Sequence, residues 1–134
     1  MEQTLVMIKP NGLTLKLVGE VISRFEKARL SLVKMELKSL SLQQASEFYQ
    51  EHKGRDFYEP LIKFMTSGPI VALVVQGENA IAAVRAIAGA TNPKDALPGT
   101  VRYDFAPNTR ENILHASDST KSAEREISFH FGKI

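Results

Sequence analysis

The chain has no cysteine and no tryptophan in its 134 residues. Without thiols there can be no disulfide, thiolate-ligated metal or redox dithiol, and a reducing compartment is permitted. Long apolar runs are also missing: Leu5–Ile8 and Ile70–Val75 are short against the roughly 20 residues that a spanning helix needs. A signal peptide cannot be built from the first residues either, so the expected location is the cytoplasm. Charge of one sign is scarce, and a net +2 with dispersed Lys and Arg suits a small anionic ligand without arguing for nucleic acid. Neither G-x-x-x-x-G-K-[ST] nor G-x-G-x-x-G occurs, so a phosphate site would have to be assembled from side chains. G-x-S-x-G is missing too, which leaves a Ser-His-Asp hydrolase little support. No repeat or linker interrupts residues 1–134, and the expectation is one domain.

The apolar pattern is orderly. Leu5-Val6-Met7-Ile8, closed by Lys9-Pro10-Asn11-Gly12, reads as a buried strand ending in a turn. Val18, Val21, Ile22 and Phe25 recur at helical spacing. From Val33 to Lys38 apolar and charged residues alternate, as on a strand covered on one face. Ser41 and Gln44 form a capping box for a helix whose face holds Ala45, Phe48, Tyr49 and His52. Leu61, Ile62 and Met65 suggest a further short helix before Gly68-Pro69. Ile70–Val75 is the best candidate for a central strand, followed by a helix from Asn79 to Gly89. Ser117 to Ser119 can cap a short helix over Thr120–Arg125, and alternating Ile127, Phe129 and Phe131 predict a last strand. A parallel α/β sheet and a split βαβ arrangement both fit this order.

Between Ala90 and Ala116 the pattern lapses around Pro93, Pro98, Gly99 and Pro107. Irregular stretches of this length are uncommon unless functional or disordered, and the embedded Leu97, Val101, Tyr103, Phe105, Ile113 and Leu114 argue for packed order. Five groups could meet an anion: Lys9, Arg55, Arg85, Thr91 and Arg102. Each could equally be a solvated surface group, although Arg102 lies inside the long loop rather than on a helix face. Of three histidines, His52 closes a helix face and belongs half-buried or at its rim. On the expected last strand, His130 would point to solvent or a subunit contact. His115 has small hydrogen-bonding neighbours, Ser117 and Asp118, and an imidazole can serve as nucleophile, base or ligand. Spacing alone leaves a catalytic and a structural His115 equally open. No second ligand stands beside it at metal-binding spacing. Glu126 could orient the ring or be exposed.

Several segments together resemble nucleoside diphosphate kinases: Met7–Gly12, Leu17–Glu20, Ser67–Val71, Gly89–Pro93, Pro98–Arg102 and, most specifically, Asn112-Ile-Leu-His115-Ala-Ser117-Asp118-Ser119. The resemblance covers nearly the whole chain. It implies an α+β, ferredoxin-like split βαβ fold, with a four-stranded antiparallel sheet covered by helices and a long ordered loop around 90–116. A ping-pong reaction through phosphorylated His115 is implied, with broad base specificity. Lys9, Arg85, Thr91 and Arg102 are then phosphate contacts, Lys9 and Asn112 reach the sugar, and the base stacks on Phe57. Tyr49, Ser117 and Glu126 support the histidine. The partners implied are nucleoside tri- and diphosphates, with ATP the main donor, Mg2+ carried on the phosphates, and further copies of the chain in a tetramer or hexamer. The sequence departs from the family pattern at Asn11, Asp56, Ala90 and Ala116, and its short C-terminus bears on assembly.

Two other classes fit the sequence less well. An RNA-binding ferredoxin-like module needs aromatics on its central strands, and Leu5–Ile8 and Ile70–Val75 have none. A partner-binding protein that has lost catalysis would not need the set Lys9, Arg85, Arg102, Asn112 and His115.

Overall fold

The structure is a computed structural model that describes residues 1–132. In chain order it contains β1 (Glu2–Ile8), α1 (Pro10–Thr14), α2 (Val18–Lys27), β2 (Ser31–Lys38), α3 (Leu42–Phe48), α4 (Tyr58–Met65), β3 (Ile70–Gly77), α5 (Ala80–Ala88), α6 (Val101–Phe105), β4 (Leu114–Ala116) and α7 (Thr120–Phe131). The sheet order is β2-β3-β1-β4 with antiparallel neighbours throughout. That is the ferredoxin-like split βαβ topology, so the parallel alternative is excluded.

The two central strands are β1 and β3, and both are covered on both faces. Val6 and Ile8 of β1 pack with Val21 and Phe25 of α2 and Val84 of α5. Leu5 and Met7 point the other way, to Phe48, Ile62, Met65 and Ile127. Alternation along a strand sends successive side chains to opposite faces, and here each face meets a helical layer. The Ser41–Gln44 capping box is formed, with Ser41 Oγ accepting from Gln44 N at 3.0 Å. The expected turn after β1 is a helical turn instead, α1, started by Pro10 at its first position.

Four sequence expectations are corrected. Residues 127–131 are not a strand but the end of α7, which Ser119 caps. Ala123, Glu126, Ile127 and His130 form its buried face at helical spacing, so the Ile127/Phe129/Phe131 alternation was a five-residue fragment of a longer period. His130 is consequently buried, with Nε2 3.1 Å from Met7 Sδ, rather than facing solvent. The fourth strand comes instead from the supposed loop, where Leu114–Ala116 pairs with Val6–Ile8. Finally, among the described residues nothing covers the apolar side of β2: Met35 and Leu37 are 60% and 66% exposed.

Candidate functional site

β4 carries His115 directly opposite Met7 of β1, so the two side chains share one face of the sheet. On that face Phe48 meets the imidazole edge to face at 5.3 Å between centroids, and Tyr49 does so at 6.4 Å. From α7, Glu126 reaches back: His115 Nε2 donates to its Oε1 at 2.8 Å, and Ser117 Oγ donates to the same oxygen at 2.7 Å. Burial works against the Glu126 charge. The hydrogen bonds from His115 and Ser117, with Arg125 nearby, nevertheless hold its carboxyl below the usual carboxylate range. A carboxylate can only accept, so the proton sits on Nε2 and the Nδ1 lone pair is left over. Such an imidazole is oriented for nucleophilic attack through Nδ1. Burial, with Glu126 close by, raises the Tyr49 phenol far above its ordinary range, so it stays neutral.

Cations gather around this strand. Arg102 of α6 is buried and donates to three carbonyls: Nε to Asn112 at 3.3 Å, Nη1 to Gly89 at 2.8 Å and Nη2 to Leu114 at 2.7 Å. Two of its five N–H groups remain for a ligand. Burial and the neighbouring Arg85 lower its pKa to about 10, which leaves it charged at neutral pH. Arg85 on α5 donates to the Ala116 carbonyl beside His115 at 3.4 Å. At the end of β1 the nearly buried Lys9 donates through Nζ to Asn112 Oδ1 at 2.8 Å, and Asn112 Nδ2 donates to the Thr91 carbonyl at 3.2 Å. Between Asn112 and β4, the β-branched Ile113 holds φ +77°, in the left-handed region. Such a conformation persists only where its surroundings impose it; here the Lys9 N–H bonds the Ile113 carbonyl at 2.7 Å.

Lys9, Thr91 and Asn112 line a cavity of about 440 Å³ together with Phe57, Leu61, Thr109 and Arg110. Phe57 stands at the start of α4, 41% exposed, its ring 5.3 Å from that of the half-buried His52. The sequence-selected residues thus fall into two adjoining groups. Lys9, Phe57, Thr91 and Asn112 line the cavity; His115, Ser117, Glu126 and Tyr49 form the imidazole cluster, with Arg85 and Arg102 against β4. Arg55 does not join them, since it is exposed and only its backbone is bonded. Thr109 and Arg110 were not singled out from the sequence, and Leu61, Phe48 and His52 stood there only as helix-face residues. Thr109 and Arg110 lie in the long loop that pointed to a site, whereas only the packing reveals Phe48 against His115.

A family model, Nucleoside diphosphate kinase, matches residues 2–134. The chain belongs to the nucleoside diphosphate kinase family. The enzyme of that name from Methanococcus maripaludis is 55% identical over 99% of this chain and 100% of its own. Its counterpart from Methanocaldococcus jannaschii is 52% identical over 97% and 93%. Among solved structures, the Aquifex aeolicus nucleoside diphosphate kinase superimposes with a TM-score of 0.94, at 37% identity over 97% of this chain and 94% of that one. As a nucleoside diphosphate kinase, the chain is a nucleotide-binding phosphotransferase.

Proposed function

We propose that this nucleoside diphosphate kinase works by a ping-pong mechanism through His115, within a single domain spanning residues 1–134. The observation that carries the reading is the Glu126–His115 hydrogen bond at 2.8 Å, which commits Nε2 and frees Nδ1. In the first half-reaction Nδ1 attacks the γ-phosphorus of a nucleoside triphosphate, ATP being the main donor. The Nδ1–P bond forms, the bond from phosphorus to the β–γ bridging oxygen breaks, and the diphosphate leaves with that oxygen. In the second, a terminal oxygen of another diphosphate attacks the phosphorus and the Nδ1–P bond breaks. No other co-reactant is required. Phosphoryl transfer asks chiefly for positioning and charge stabilisation, and Arg85, Arg102, Lys9 and Thr91 are the phosphate contacts for it. Ser117 and Glu126 keep the ring in place, and Tyr49 packs against it.

Among the described residues no group of three or more His, Asp or Glu could hold a metal ion. The donors near β4 are cationic or neutral, a set that suits phosphate oxygens. Mg2+ is assigned to the nucleotide substrate, where it would neutralise phosphate charge. Lys9 and Asn112, hydrogen-bonded to each other in the cavity lining, would reach the sugar hydroxyls. Phe57 offers a π-face that any base can use, which supports broad base specificity. The uncovered Met35 and Leu37 of β2 support a homo-oligomer, a tetramer or hexamer. The cytoplasm is the proposed location; no helix among the described residues is long and apolar enough to cross a membrane.

Incubation with γ-labelled ATP is expected to give an acid-labile, base-stable phosphoprotein. His115→Gln should abolish the label, and label surviving that substitution would overturn the reading.

A further inference from the structure

Among the residues that line the nucleotide cavity is a guanidinium that the mechanism does not use. Arg110 lines the cavity together with Phe57 and Leu61 of the α4 wall and Thr109 of its own segment. The backbone around it is fixed from two sides. Asn108 Oδ1 accepts from Arg110 N at 3.0 Å and from Glu111 N at 2.8 Å, and Asn11 Nδ2 donates to the Glu111 carbonyl at 2.8 Å. The neighbouring carboxylate is engaged elsewhere, since Asn108 Nδ2 donates to Glu111 Oε2 at 2.9 Å. Among the described residues the Arg110 side chain has neither a hydrogen bond nor an ion pair.

Resting on the proposed binding of the base against Phe57, we propose that Arg110 is a specificity-determining residue that favours guanine, by donating its fork to the acceptor edge of the base. The chemistry of the group sets the direction. A guanidinium only donates, and guanine presents two adjacent acceptors, O6 and N7, that match its spacing. Adenine places an amino donor beside N7, so the fork meets one acceptor and one repelling N–H. Uracil offers a single carbonyl on the corresponding edge. The Phe57 platform accepts every base, and Arg110 grades them.

The test is calorimetric titration of GDP and of ADP into the His115→Gln protein, with and without Arg110→Ala, which separates binding from phosphoryl transfer. The expected result is a GDP preference of about fivefold, the lower end for a bidentate contact because the residue is exposed, and its loss in Arg110→Ala with ADP affinity little changed. Equal weakening of both nucleotides would show contact with the base face or the phosphates and overturn the proposal, as would an unchanged ratio. Failure of both nucleotides to bind would overturn it together with the nucleotide-site reading. Absence of ATP labelling in the unsubstituted protein, with the binding preference intact in the His115→Gln protein, would support the Arg110 proposal and count against the phosphohistidine mechanism alone.

Discussion

Lys9 lies with its ammonium on Asn112 and only 7% exposed. Burial, and then the charge of Arg102, lower its pKa to about 7. In the free protein it is therefore partly deprotonated at physiological pH, and an arriving polyphosphate should draw the proton back. Nucleotide binding between about pH 7 and 8.5 is expected to take up a proton, seen as a binding enthalpy that depends on buffer ionisation enthalpy, and Lys9→Met should abolish that dependence. His130 is shifted in the same direction. Burial first, then the charges of Lys38 and His115, push its pKa down to about 3 against the Glu126 charge. Below the ordinary value of 6.5 the unfolded chain takes up a proton that the native one refuses. The stabilisation is thus complete above pH 6.5 and is lost as pH falls toward 3, by at most about 1.4 kcal/mol per pH unit. His130→Phe should flatten the pH dependence of the urea midpoint between pH 6.5 and 5, where Glu126 is still ionised.

At the scale of elements, the junction between α5 and α6 holds the site together. Gly89 ends α5 with φ +91°, and its carbonyl accepts from Arg102. A Cβ there would lie 2.5 Å from Thr100 Oγ1 and 2.7 Å from Thr100 Cβ. Gly89→Ala is expected to cost about 2–3 kcal/mol, read as a lower urea midpoint at unchanged slope, together with a raised KM for nucleotide. The glycine was readable in the sequence as a helix stop; its contact with Thr100 was not, because it joins segments that only the fold brings together. The same division runs through the other elements. β1, β3, α2 and α5 show in their apolar periods because each buries a full stripe or strand. β4 is three residues long, too short to carry a period, and exists by pairing with β1. α7 hid behind a brief alternation, although its Ser119 cap was visible. Within the site, the segment from Asn112 to Ser119 could be recognised from sequence. The aromatic packing of Phe48 and the placement of Thr109 and Arg110 could not, since no local pattern encodes them.

For the molecule as a whole, the outer strand is the unfinished part. Among the described residues β2 pairs only with β3, and it bears the exposed Val33, Met35 and Leu37 at 41%, 60% and 66%. An uncovered apolar edge strand invites pairing with another chain. Met35→Lys combined with Leu37→Lys should leave the monomer folded, because both side chains are already exposed, and should lower the mass measured under native conditions.

The opposite edge of the sheet has a consequence for how the enzyme is made. Ser117 is tied to Leu5, its N–H to the Leu5 carbonyl at 3.1 Å, and Lys9 to Asn112, across separations of 112 and 103 residues. Glu126, which orients the imidazole, comes later still. A ribosome delivers the N-terminal part first. The strand Glu2–Ile8 therefore waits through most of translation with one side unpaired, and no partial chain can hold the histidine ready. The geometry that orients the imidazole is complete only once Glu126 has been made.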